Sequence, residues 1–268
     1  MILHRRIEPL GLCVMLVIAL VLALVLVRHH GRSEQWRLAR IERRHPFAAP
    51  SRTLMSFGVA FACVIAFVRI AREVAEGETE HFDRSVALAV HSLGGHGLDV
   101  IMRVFTFVGS PMAVIPAAIA VFLLALHQRD YRAGMVLVLV MVTSELLLVL
   151  LKDTFERARP TLFGQMVLPS YSFPSGHALA AVAVYGTLAL VLMRLVPARR
   201  RIVEVVCPPL VTMIGLSRIY LGVHWPTDVL AGFAAGGFLV LAAAITLDGL
   251  PSARPSPRSD ARWGTAET

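Results

Sequence analysis

A chain of 268 residues could form one or two soluble domains, but 56% of these residues are hydrophobic and the mean hydropathy is +0.69, which excludes a soluble globule. The 26 basic against 18 acidic residues leave a net charge of +8, which would suit nucleic acid only if it were gathered on one surface. Cys13, Cys63 and Cys207 lie far apart in apolar stretches, so neither a disulfide framework nor a metal knuckle is readable.

Seven stretches are apolar enough to cross a membrane, at roughly 9–27, 53–70, 104–126, 133–151, 178–196, 205–221 and 229–247. A helical span needs about 17–25 mostly apolar residues. The runs are continuous rather than alternating, which favours helices over barrel strands. The first begins like a signal peptide, but no small-residue cleavage site follows and Arg28-His29-His30 comes at once, so it reads as a membrane anchor. Its connector holds Arg28, Arg32, Arg37, Arg40, Arg43, Arg44 and Arg52. The next connector is acidic, with Glu73, Glu76, Glu78, Glu80 and Asp83. Within it Phe82, Val86, Ala89, Val90 and Leu93 share a helical face, which predicts a short helix on the outer surface.

The 104–126 stretch reads as one strong span, followed by Arg129 and Arg132. The fourth carries Glu145, an intramembrane acid best read as a hydrogen-bonding group in the bundle interior. Arg199, Arg200 and Arg201 follow the fifth, Pro208 and Pro209 weaken the sixth, and Gly232-x3-Gly236 lets the seventh pack closely within the bundle. Residues 249–268, rich in Pro, Ser and Arg, read as a disordered cytoplasmic tail. Arginines thus collect in alternate loops, which the positive-inside rule assigns to the cytoplasm, with Arg5 and Arg6 a minor violation. Basic charge here speaks of topology and anionic lipid rather than of nucleic acid. A multi-pass protein of the cell membrane is expected, with the 152–177 and 217–228 connectors facing outward.

Those two connectors hold most of the remaining polar chemistry. Lys152 and Arg159 are seven apart, on one face if the helix continues, and two fixed cations can hold a phosphate. Taken alone they are better explained as residues that snorkel at the membrane boundary. Arg157 suits a further phosphate contact or a solvated flank equally well. In Y-S-F-P-S-G-H, Tyr171 to His177, a turn leads into a helix start whose backbone N–H groups can form an anion nest, with the Ser175 hydroxyl beside it. His177 falls in that first turn, placed to donate a proton. In S-R-I-Y-L-G-V-H-W-P-T-D, Arg218 closes one helix, Pro226 opens the next, and Asp228 can orient the His224 imidazole. An oriented histidine backed by a carboxylate recurs as an activated nucleophile or base. His81, His91 and His96 fit no motif and read as surface histidines.

Together, K-x6-R-P (Lys152, Arg159, Pro160), P-S-G-H (Pro174 to His177) and S-R-x5-H-x3-D (Ser217, Arg218, His224, Asp228) resemble the three-part signature of the type 2 phosphatidic acid phosphatase superfamily. The likeness covers roughly 53–248. It implies an all-α six-helix catalytic core, to which residues 1–52 add an N-terminal transmembrane helix and a basic loop. It also implies roles. His224 is the nucleophile, Asp228 its orienting acid, and His177 the proton donor. Lys152, Arg159, Ser175, Gly176 and Arg218 bind the phosphate, with no metal and no cofactor. The substrate implied is a lipid phosphate or diphosphate, with polyprenyl diphosphate, phosphatidic acid and phosphatidylglycerophosphate as candidates. A lipid phosphotransferase with the same intermediate is the second enzymatic reading. A non-catalytic lipid transporter or scaffold is the third, and it would need the cations but neither histidine.

Overall fold

Away from water a backbone can satisfy its own N–H and C=O groups by coiling into helices. The computed structural model, which describes residues 49–163 and 169–249, is helical throughout its regular structure. Eight helices follow in order: α1 Ala49–Glu76, α2 Glu80–Ser92, α3 His96–Val108, α4 Pro111–His127, α5 Tyr131–Phe155, α6 Gly176–Leu195, α7 Arg200–Tyr220 and α8 Pro226–Asp248. A single π turn, Ala181–Tyr185, interrupts α6, and a 3₁₀ turn, Pro197–Arg199, leads into α7. The expected first span at 9–27, most of the basic loop after it and the tail beyond residue 249 lie outside the described residues.

Among the described residues, five segments are long and apolar enough to cross a membrane: Leu54–Glu76, Tyr131–Phe155, Gly176–Leu195, Pro197–Tyr220 and Pro226–Asp248. The α3–α4 pair adds a sixth if counted as one broken span, being bent by 49°. The span expected over 104–126 is therefore present only as this bent pair. Pro111 lacks an N–H and pushes Ser110 into extended backbone (φ −81°, ψ 158°), so the helix stops at Val108 and restarts. The opposite correction applies to α7, which stays helical through Pro208 and Pro209.

The short surface helix is present as α2. Asp83 and Ala87 are buried, whereas Phe82 and Leu93 are exposed. Glu145 also departs from its reading: its side chain is exposed on α5 instead of facing the bundle interior.

The main core gathers Val114, Leu137, Val140, Leu147, Leu179, Val191 and Leu239 from α4, α5, α6 and α8. At the end of the bundle away from Asp228, Asp130 caps α5 by accepting from the Ala133 amide at 3.2 Å. It also accepts from Arg194 Nε of α6 at 2.7 Å, and Arg194 in turn donates to the Leu247 carbonyl of α8. Three spans are thereby fixed in register at that end.

α8 lies against α6 through two glycines. A Cβ on Gly232 would stand 2.7 Å from the Ser175 carbonyl oxygen and 2.9 Å from the Ala178 Cβ. One on Gly236 would stand 2.7 Å from the Leu179 oxygen. These neighbours are backbone or backbone-fixed, so they cannot swing away. Gly232→Ala should therefore cost about 1–3 kcal/mol through overpacking. Its thermal midpoint in detergent should fall by several degrees. Gly58→Ala, where an added Cβ meets nothing within 4 Å, should hold or raise the midpoint. Equal midpoints for the two variants would contradict this packing.

Candidate active site

α7 ends in a Schellman motif. The Val223 amide donates to the Arg218 carbonyl at 3.2 Å, and the Gly222 amide donates to the Ile219 carbonyl at 2.9 Å. Gly222 sits at φ +66°, which a side chain would strain. The turn brings the His224 amide back over the same Arg218 carbonyl, at 3.3 Å. Pro226 then opens α8 at its first position, where the missing N–H is harmless. The Asp228 carboxylate, three residues past the cap residue Trp225, accepts from the Trp225 amide at 2.8 Å. The same Oδ2 accepts from Ser172 Oγ and lies 3.5 Å from His224 Nδ1. Asp228 is thus both the helix cap and the partner of the imidazole.

The other face of the imidazole meets a cation. Arg159 Nη1 donates toward His224 Nε2 at 3.2 Å. Arginine has donors only, so Nε2 carries the lone pair and Nδ1 carries the hydrogen facing Asp228. Burial pushes the His224 pKa down to about 4; Asp228 opposes that shift, and Arg159 and Arg218 add to it. The ring is neutral at pH 7.

Arg159 reaches this position by a route the sequence did not suggest. α5 stops at Phe155, and Glu156 turns the chain at φ +45°. Arg159 therefore does not share a helix face with Lys152. It is held from the following extended segment, donating to the Ser170 carbonyl (2.8 Å), the Ser170 hydroxyl (2.9 Å) and the Val223 carbonyl (2.6 Å). Lys152 Nζ donates to the Tyr171 carbonyl and senses the charges of Arg159, Asp228 and Arg218. The two cations do converge, through tertiary folding rather than helical period.

α6 supplies the third wall. The Ser175 hydroxyl caps it, accepting from the Ala178 amide at 3.5 Å, and the Phe173–Pro174 peptide before it is cis. The Ser175 amide is used by the Asp228 carbonyl at 3.0 Å, so it leaves the anion nest expected there. The Gly176 and His177 amides head the helix, where orphan donors collect. Half-buried His177 lies within the fields of Arg218, His224, Arg159 and Lys152. A Cβ on Gly109, at the α3–α4 break, would come within 3.2 Å of the His177 Cδ2. Arg218 of α7 is buried, donates to Thr106 Oγ1 at 3.3 Å, and has a buried Nε without a hydrogen-bond partner among the described residues. Lys152, Arg159, Ser175, Gly176, His177, Arg218, His224 and Asp228 are all brought to one end of the bundle.

Sequence reasoning missed a further shell. Arg157 is neither a solvated flank nor open to a phosphate. Its Nη1 donates to Asp228 Oδ1 (2.6 Å) and Thr227 Oγ1 (2.8 Å), and its Nη2 to Asp83 Oδ2 (2.6 Å) and Thr79 Oγ1 (3.1 Å). Asp83 also accepts from the Thr227 amide at 2.9 Å and the Thr227 hydroxyl at 2.7 Å. One signal was available: Asp83, Ala87 and Val90 fall at i, i+4 and i+7, so the carboxylate shares a face with buried apolar positions. His91 is corrected too. It is half-buried, donates from Nδ1 to the Tyr220 carbonyl at 3.0 Å and stacks on Phe163 at 3.7 Å, while His81 and His96 are exposed.

The family model of the PAP2 superfamily matches residues 133–249. Phosphatidylglycerophosphatase B of Bacillus subtilis is 30% identical over 173 residues, 63% of this chain and 85% of that protein. An undecaprenyl-diphosphatase of Sulfolobus acidocaldarius is 33% identical over 123 residues, 44% of this chain and 56% of its own. Among solved structures, the transmembrane PAP2-type phosphatidylglycerolphosphate phosphatase from Bacillus subtilis superposes with a TM-score of 0.64 at 27% identity, covering 69% of this chain and 93% of that one. With its three motifs folded together at one end of an apolar helical bundle, this chain belongs to the PAP2 superfamily.

Proposed function

We propose that this protein is an integral-membrane phosphatase that removes phosphate from a lipid phosphate or diphosphate through a phosphohistidine at His224. The observation that carries the reading is the imidazole held between Asp228 at Nδ1 and Arg159 at Nε2, neutral and with its lone pair directed toward the cations. The names of the relatives support the phosphatase class, and they cover both a monoester and a diphosphate.

The chemistry runs in two displacements. His224 Nε2 bonds to phosphorus while the bond to the leaving oxygen breaks, and His177 gives that oxygen its proton. His177, now neutral, takes a proton from water. The hydroxide oxygen bonds to phosphorus, the N–P bond breaks, and phosphate departs. Lys152, Arg159 and Arg218, with the Ser175 hydroxyl and the Gly176 amide, hold the phosphoryl oxygens as charge shifts among them. A phosphoryl oxygen would also satisfy the orphan Nε of Arg218. The Nδ1–Asp228 contact carries the positive charge that forms on the bonded imidazole.

His224→Ala should abolish turnover on every substrate and should trap no acid-labile phosphoenzyme in a burst experiment with labelled substrate. His177→Ala should cost roughly 10²–10⁴-fold with a poor leaving group and much less with an activated aryl phosphate. Equal losses for both variants across leaving groups, or label retained without His224, would refute these roles.

Three fixed cations already neutralise the phosphate, so phosphate release should persist in EDTA and vanadate should inhibit. Complete loss in chelator, restored by magnesium, would contradict the clamp.

The alternating arginine loops further suggest that the site faces away from the cytoplasm. A single cysteine introduced at Ser170, on the exposed rim near Arg159, should react with an impermeant thiol reagent in intact cells, and one at Arg199 should not. The reverse pattern would invert the topology.

A further inference from the structure

Behind Asp228 lies a second buried carboxylate, Asp83, and one guanidinium stands between them. Both carboxylates are fully buried. Arg157 turns one nitrogen to each, at 2.6 Å to Asp228 Oδ1 and 2.6 Å to Asp83 Oδ2. A single positive charge cannot neutralise two negative ones, so the triad retains one net negative charge. The Thr227 amide and hydroxyl donate to the two oxygens of the Asp83 carboxylate. Thr79 Oγ1 accepts the remaining reach of Arg157 Nη2 and fixes the plane of the fork. Arginine can bridge in this way, and the point charge of lysine cannot.

We propose that Asp83 and Arg157 form a positioning pair that sets how strongly Asp228 supports charge on His224. The proposal rests on the reading of His224 as nucleophile. Were Arg157 paired with Asp228 alone, its charge would cancel the carboxylate that the imidazole needs when its Nε2 bonds to phosphorus. Asp83 draws part of that charge to itself and leaves Asp228 effectively anionic. The other charged groups around His224 are Arg159 on the segment after α5, Arg218 on α7 and His177 on α6, with Lys152 on α5 beyond them. Among the described hydrogen bonds neither Asp83 nor Arg157 contacts any of these, so the pair acts on His224 through Asp228. A purely mechanical role is the competing explanation, in which the pair only staples α2 to the start of α8.

The two differ in sign. Removing the Asp83 charge leaves Arg157 to Asp228, which weakens the imidazole as a base. Removing both charges leaves Asp228 facing His224 without a cation behind it, which strengthens the base. The experiment compares wild type, Asp83→Asn, the double variant Asp83→Asn/Arg157→Gln, and His224→Ala, with dioctanoyl phosphatidic acid in detergent micelles as probe. The readouts are kcat, KM, trapped phosphoenzyme and the acid limb of kcat/KM. Titration of the probe itself is common to all, so differences between limbs report the enzyme.

Asp83→Asn should lower kcat on the order of tenfold and move the acid limb down on the order of one pH unit. KM should hold, because Asp83 touches no group assigned to the phosphate. The double variant should move the limb up. It leaves no buried guanidinium unpaired, and Asp228 keeps the Trp225 amide, Ser172 and His224, so it also tests the proposal if Asp83→Asn fails to fold. A limb in the double variant that coincides with wild type, or moves down, overturns the pair and leaves the staple. Phosphoenzyme in His224→Ala overturns the nucleophile itself, and the pair with it.

Discussion

A carboxylate buried without access to water is the constraint around which this site is built. Burying an ionised group costs several kcal/mol unless its partners replace the lost hydration. Asp228 meets that condition with the Trp225 amide and the imidazole of His224 from its own turn, and with Ser172 and Arg157 from distant parts of the chain. The requirement fixes the start of α8, the Ser170–Ser175 approach to α6 and the segment after α5 together. Even the Asp228 carbonyl takes part, holding the Ser175 amide.

The cations gathered beside the imidazole depend on the same arrangement. Arg159 is tied to the carbonyls of Val223 and Ser170. Arg218 is set by the helix whose Schellman turn delivers His224. Gly232 lets α8 lie close enough to α6 that Ser175 and His177 arrive at the same end. The α3–α4 break has a similar effect from the far side. Tyr185, in the π turn of α6, donates to the Val108 carbonyl at 2.6 Å, and Gly109 then packs against the His177 ring. Two departures from regular helix, the π turn and the proline break, therefore meet beside the group assigned to proton transfer. π turns within α-helices are often found at functional sites.

The polar groups at this end of the bundle are enclosed and tied into hydrogen-bond networks, whereas the surface that would meet lipid tails is apolar and interchangeable. Exposed Phe61, Leu123, Leu146 and Val205 exemplify the latter. An apolar side chain on a lipid-facing helix carries no directional bond by which one acyl or polyprenyl chain could be told from another.

The sequence by itself determined the membrane-spanning helical class, five of its spans and the residues of all three motifs. Each of these depends on local information: apolar length, a turn residue, or a fixed spacing such as the four residues from His224 to Asp228. It also placed the starts of α6 and α8, because Ser175 and Pro226 act within one turn of themselves. What the tertiary structure alone decided was everything that depends on distant parts of the chain meeting. Arg159 was assigned to a helix face shared with Lys152, yet it reaches His224 only because Glu156 ends α5 and Val223 and Ser170 hold the guanidinium. Asp83 looked like one more acid of the outer connector, and Glu145 like an interior one. Their exchange of places follows from which face of α2 and α5 the rest of the bundle covers. Burial of a charge is decided by the partner waiting for it, and Arg157 stands 74 residues from Asp83 along the chain, beyond the reach of any local pattern.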